Sequence, residues 1–146
     1  MDRQEYIEHL LDHFRNPRNK GRMEDADLQL GGGNPGCGDL ITMYLKIGAG
    51  DRIERVSFEV EGCTISQAGG SIVTELVAGK TLDEVTALGT AEMVEEMGND
   101  VVKSRVRCAT LALGTVQAAI HQYERGRERE RVGARMTAQD AVPFEN

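Results

Sequence analysis

Tyr6, Ile7, Leu10, Leu11 and Phe14 recur at helical spacing and predict an amphipathic helix over residues 3–15. Asn16-Pro17 ends it, because a residue before proline avoids the helical region. Residues 16–38 are rich in turn formers, including Gly31-Gly32-Gly33 and Asn34-Pro35-Gly36, with room for a short strand around Ala26–Leu30. Strict alternation follows. Ile41, Met43, Leu45 and Ile47 take one face, and Thr42, Tyr44 and Lys46 the other. After the turn Gly48-Ala49-Gly50-Asp51, residues 53–61 alternate again, with Val56, Phe58 and Val60 inward. Two such strands across a short turn predict an antiparallel hairpin.

Beyond the hairpin the period lengthens. Ile65, Ala68, Ile72, Val73, Leu76 and Val77 share one helix face, with Gly79 as a stop. Thr81 and Glu84 form a capping box for a short helix over 82–88, and Thr90 is placed to cap another ending at Met97. Cys108, Leu111, Ala112, Thr115, Val116, Ala119, Ile120 and Tyr123 hold a single stripe on the longest helix. Past Tyr123 the pattern fades into alternating Arg and Glu, which reads as a fraying helix end and a mobile tail. Strands followed by helices predict an α+β fold, a small antiparallel sheet with helices packed on one face. Residues 1–127 form one domain on this reading, and 128–146 a tail.

Composition narrows the function classes. A net charge of −7 argues against a nucleic-acid surface, and three Phe, three Tyr and no Trp leave little for base stacking. No apolar run is long enough to span a membrane, and the acidic, polar start Met1–Glu5 does not read as a secretory signal. A cytoplasmic location and reduced cysteines are therefore expected. Three cysteines cannot all pair within the chain.

Each cysteine falls at an element boundary: Cys37 before the first clear strand, Cys63 after the second, Cys108 in the first turn of the long helix. The start of one hairpin strand neighbours the end of the other, so Cys37 and Cys63 are expected close together. Three thiolates and a nearby oxygen make a four-coordinate site for zinc or an iron–sulfur cluster. Asp39, two positions after Cys37 in an extended segment, is the candidate fourth ligand. A carboxylate exchanges more readily than a thiolate, which suits a site that releases what it binds. Gly36, Gly38 and Gly62 keep side chains away from the sulfurs. Arg105, Arg107 and the helix N-termini favour thiolate at Cys63 and Cys108. The other reading is three small core residues, one of them a reactive thiol. His9 and His13 stand one turn apart, either as a metal pair or as surface or capping histidines, and His121 reads as a surface residue.

The segments Asn34-Pro35-Gly36-Cys37-Gly38-Asp39, Gly62-Cys63-Thr64-Ile65-Ser66-Gln67-Ala68 and Arg105-Val106-Arg107-Cys108-Ala109-Thr110-Leu111-Ala112 resemble, in order, the three cysteine motifs of the IscU/NifU-type iron–sulfur cluster assembly scaffolds. Asp12–Gly21 is similar to that family's first-helix exit, and Tyr6 falls at its near-terminal tyrosine. The resemblance implies a SufE/NifU-like fold and a scaffold rather than an enzyme. It implies that Cys37, Asp39, Cys63 and Cys108 hold a transient [2Fe–2S] cluster, built from iron and from sulfur supplied by a cysteine desulfurase. Apo iron–sulfur acceptor proteins are the implied recipients, and a ferredoxin or a frataxin-like protein the implied helpers. Cys108, preceded by two arginines, is the candidate persulfide acceptor, and Asp39 the labile ligand that aids cluster release. Zinc at the same four positions is also implied.

The sequence departs from the family in two places. Arg107 stands where many members have His. Asp100–Arg105 replaces the Leu-Pro-Pro-x-Lys segment read by a dedicated chaperone, so release by that route is not expected. The Arg-x-x-Cys-Ala-Thr-Leu-Ala and Gly-Cys-x-Ile-Ser wording resembles the SufU branch, whose members include zinc-dependent sulfurtransferases. The alternative implied function is therefore a zinc-bound relay of persulfide sulfur. The interval from Cys63 to Cys108 is of the shorter, scaffold-like kind.

Overall fold

A computed structural model describes residues 1–34, Gly36 and 38–138, with side chains described as far as Val132. The chain runs α1 (Arg3–Arg15), β1 (Leu28–Asn34), β2 (Asp39–Ile47), β3 (Ile53–Glu61), α2 (Thr64–Val77), α3 (Leu82–Thr86), α4 (Thr90–Met97), α5 (Asn99–Val102) and α6 (Val106–Ala138). The strands form one antiparallel sheet in the order β1-β2-β3. Met43 lies opposite Phe58 and Leu45 opposite Val56, so the alternating apolar positions of both strands share one face. α2 packs on β3 and α6 on β1 and β2, closing a core around Met43, Leu45, Phe58, Val73, Leu113 and Val116. The α+β architecture with helices on one face of the sheet is thus the observed one.

The first helix starts where the pattern places it, with a capping box between Asp2 and Glu5. Its exit is fastened by a buried polar hub. His13 shares a hydrogen bond of 2.7 Å with the Ser71 hydroxyl, which also accepts from the Arg18 N–H at 2.8 Å. His13 is therefore a core residue rather than a surface one. Burial first, then the Arg18 charge, lowers its pKa and favours the neutral ring. The His9 ring packs edge-on to it at 4.8 Å. Glu75 lies 3.6 Å from the His13 Nε2, but among the described residues the pair belongs to no group of three side chains placed to hold a metal, and His121 is exposed.

The segment after α1 is ordered by the sheet it crosses. The Gly21 N–H donates to the Phe58 carbonyl, and the Asp27 N–H to the Leu45 carbonyl. Arg55 and Lys46 reach Asp25 from the outer face, where Tyr44 is buried and donates to Glu59.

Three local expectations change. Gly31-Gly32-Gly33 belongs to β1 and not to a turn, because a close tertiary contact overrides weak strand propensity. A Cβ on Gly32 would lie 2.2 Å from Thr115 Oγ1, so the missing side chain lets α6 sit against the strand. The cap of α4 is Gly89, whose N–H donates to Glu92 Oε1 at 2.9 Å, and Thr90 is the first helical residue. The final helix does not end near Tyr123 but continues to Ala138. Arg127 ties the extension to the β2–β3 turn through Asp51 at 3.0 Å and stacks over Tyr123. The fading periodicity reflects a helix exposed on most sides rather than a helix end. The boundary drawn at residue 127 falls inside it, and residues 139–146 of the expected tail lie outside the described residues. No helix among the described residues is long and apolar enough to cross a membrane.

Candidate metal centre

The hairpin brings its two ends together. Leu40 pairs with Glu61, so Asp39 at the start of β2 stands beside the Gly62-Cys63 turn that leaves β3. α6 enters the same corner from above β1, where the Asn34 side-chain amide donates to the Arg107 carbonyl at 3.2 Å. One carboxylate oxygen of Asp39 and the sulfurs of Cys63 and Cys108 all lie within 4.8 Å of one another. Of the four residues singled out as ligands, the structure thus gathers three from three different elements. Cys37 lies outside the described residues.

Asp39 is 1% exposed. Its Oδ1 accepts from the Cys63 N–H at 3.0 Å. Its Oδ2 is buried without a hydrogen-bond partner among the described residues. An orphaned carboxylate oxygen beside two sulfurs is the arrangement expected of a ligand set waiting for a cation. Burial opposes charge on Asp39, but the neighbouring Cys108 thiol, the Cys63 N–H, Asn34 and Ser66 outweigh it and hold the carboxyl below its ordinary pKa.

The two cysteines differ. Cys63 is the N-cap residue of α2 and half-buried. Burial opposes its ionisation, but the Ser66 N–H, the Cys108 thiol, the Ser66 hydroxyl and the Ile65 N–H together lower its pKa. Cys108 is 2% exposed. Burial, then the Asp39 carboxylate and the Cys63 sulfur, push its thiol up to about 12. The expected pull of the helix start and the arginines on Cys108 is therefore outweighed. Arg105 lies beside both sulfurs, and its pKa is raised by the Cys108 thiol first and by Cys63 next. In metal-free protein, iodoacetamide should modify Cys63 well before Cys108. Equal rates by peptide mass mapping would contradict this ordering.

The flanking glycines are not equivalent. A Cβ on Gly62 would lie 2.3 Å from Asp39 Oδ1 and 2.7 Å from Ser66 Oγ. Gly38 adopts φ +74, a conformation side chains disfavour, whereas Gly36 faces open space. Ser66 was not legible as a site residue. Its hydroxyl donates to the Cys63 carbonyl at 3.0 Å and lies 3.8 Å from the Cys63 sulfur, and a Ser three positions after a helix-capping Cys is its only signal. Leu40 and Val106, next to Asp39 and near Cys108 in the chain, are 58% and 42% exposed and leave an apolar rim at the site.

Fold and site together define an α+β domain presenting a sulfur–carboxylate centre at one end of the sheet. Residues 5–130 match the NifU-like N terminal domain family, and the chain belongs to that family. It is 39% identical over 120 residues to an IscU iron–sulfur cluster assembly scaffold protein of Archaeoglobus fulgidus, covering 82% of this chain and 77% of that one. It is 37% identical over 126 residues to the IscU scaffold protein of Escherichia coli, covering 84% and 97%. Among solved structures it resembles a SufU protein assigned to cluster assembly in the SUF system of Fervidobacterium islandicum, with TM-score 0.68, 28% identity, and 77% and 94% of the two chains covered. A NifU-like N-terminal protein from Brucella abortus shares the fold at TM-score 0.70 and 24% identity, over 82% and 94% of the chains.

Proposed function

We propose that this protein is a scaffold on which a transient [2Fe–2S] cluster is assembled from iron and desulfurase-derived sulfur and then passed to apo-proteins. The observation that carries this reading is the convergence of Asp39, Cys63 and Cys108 within 4.8 Å, with Asp39 Oδ2 unpartnered among the described residues. Soft thiolates suit iron and sulfide, and the carboxylate is the ligand most readily exchanged. Cys37, between Gly36 and Gly38, supplies the remaining thiolate.

Cys108 is the proposed sulfur acceptor. Its thiol sulfur attacks the outer sulfur of the desulfurase persulfide, and the new S–S bond forms as the desulfurase thiolate leaves and takes up the thiol's proton. Arg105 beside the sulfurs stabilises the anion. Each sulfur delivered this way needs two electrons to become sulfide, which a ferredoxin would supply. Asp39 then lets the assembled cluster go, and the incoming thiolates of the acceptor take over its iron.

The same donor set also suits zinc, which would be held by these side chains and would supply a Lewis-acidic centre that keeps the thiols deprotonated. On that alternative the protein relays persulfide sulfur and builds no cluster. Anaerobic reconstitution with ferrous iron, cysteine and a cysteine desulfurase, followed by transfer to apo-ferredoxin, separates the two. The scaffold reading expects a [2Fe–2S] spectrum that moves to the acceptor. About one tightly held zinc per chain, strong stimulation of the desulfurase and no transferable cluster would overturn it.

A further inference from the structure

β1 is an edge strand with an unguarded side. It pairs with β2 along one edge only, and its other edge has no strand partner among the described residues. Among the described residues, no hydrogen bond from outside the sheet reaches the backbone of Leu28–Gly33. Edge strands are commonly blunted by charge, proline or a bulge, yet Leu28–Asn34 carries none of these. Gly31 and Gly33, both exposed, also leave its backbone bare, which marks a place where another backbone can approach.

The flank of α6 beside this edge is equally bare. Gly114 and Ala118, one turn apart, are exposed, and a Cβ on Gly114 would meet nothing within 4 Å. Between helix and strand runs a groove of about 330 Å³, from Ala118 and Leu30 at one end to Arg107 and Asn34 at the other. Five strand residues span ~16 Å and the stretch of α6 from 107 to 118 spans nearly the same. The groove thus has the length of a short added strand. Its Arg107 end adjoins Cys108, and Lys103 and Arg105 are exposed there in a chain of net charge −7.

We propose that this groove receives an extended, acidic, cysteine-bearing segment of the acceptor protein, added to β1 as a fourth strand, so that its thiol arrives beside Cys108 and Asp39. The proposal rests on the scaffold reading above and names how the recipient docks. An acceptor fits better than a sulfur donor because cysteine ligands that have not yet bound their metal are rarely held in a preformed site and are free to extend. Backbone hydrogen bonds to β1 supply affinity whatever the acceptor's sequence, and the cations select acidic flanks.

Hydrogen–deuterium exchange of the cluster-free protein, with and without apo-ferredoxin, tests this directly. Amides of Leu28–Asn34 should slow by about tenfold or more with apo-ferredoxin, and should be unaffected by a cysteine desulfurase. The variant Gly114→Leu fills the groove at an exposed helical position. It should load cluster as the wild type does and transfer it about tenfold more slowly, while Gly114→Ala transfers normally. Unchanged exchange at β1 with apo-ferredoxin, protection by the desulfurase instead, or full-speed transfer by Gly114→Leu would each overturn the proposal. If the wild type loads no cluster, the scaffold reading fails, but the exchange measurement needs no cluster and still decides the groove.

Discussion

Asp39→Ala should hold its cluster and release it slowly, with transfer to apo-ferredoxin reduced by about tenfold or more. On the proposed scaffold function the carboxylate is the hard, exchangeable donor among the sulfurs, so removing it removes the place where an incoming thiolate would displace the scaffold. The substitution has a second, structural effect. Oδ1 accepts from the Cys63 N–H at 3.0 Å, and losing it leaves that donor unsatisfied at the start of α2 at a cost of about 1–3 kcal/mol. Asp39→Asn separates the two. Its amide oxygen can still accept from Cys63, so stability should recover, but the charge and with it rapid release should not. The sign with pH follows from the lowered pKa of Asp39: its contribution to folding is present at neutral pH and is lost as the pH falls through the lowered value. Transfer from Asp39→Ala at the wild-type rate would refute the labile-ligand role.

Gly62→Val should cripple cluster loading while Gly36→Ala leaves it nearly intact. At Gly62 the first added carbon would stand 2.3 Å from Asp39 Oδ1 and 2.9 Å from its Cγ. Asp39 is buried at the start of the central strand and cannot swing aside freely, so either the carboxylate leaves the cluster of ligands or the start of α2 moves and takes Cys63 with it. Overpacking of this kind costs about 1–3 kcal/mol, measurable by urea denaturation. Iron and sulfide content after anaerobic reconstitution reports the loss of loading. At Gly36 nothing lies within 4 Å of an added Cβ. Equal loading by both variants would show that the glycine at 62 serves only the chain turn and not the site.

These effects show where reading the chain succeeds and where it stops. The alternation in residues 41–47 and 53–61 marks inward positions correctly because a strand repeats every two residues and each of these strands buries one face. The hairpin alone then places Asp39 beside Cys63, since paired strands bring the start of one to the end of the other. Gly31–Gly33 misleads because glycine carries no strand signal; its place in β1 depends on Thr115, more than eighty residues away. His13 misleads for a similar reason. A histidine on a helix says nothing of Ser71 waiting in another helix to accept it into the core.

By itself the sequence determined the α+β order of elements, the core faces of the hairpin and the three chain positions at which thiols meet element boundaries. These follow from local periodicity and from the turn chemistry of Gly, Pro and Asn. Tertiary structure alone decided that, among the described residues, Asp39 is buried with one oxygen unpartnered, Cys63 is the more acidic thiol and Cys108 the more protected, and β1 leaves an open edge beside them. Burial, unequal hydrogen bonding and exposed backbone arise only when distant segments pack, because each depends on what the rest of the chain excludes from water.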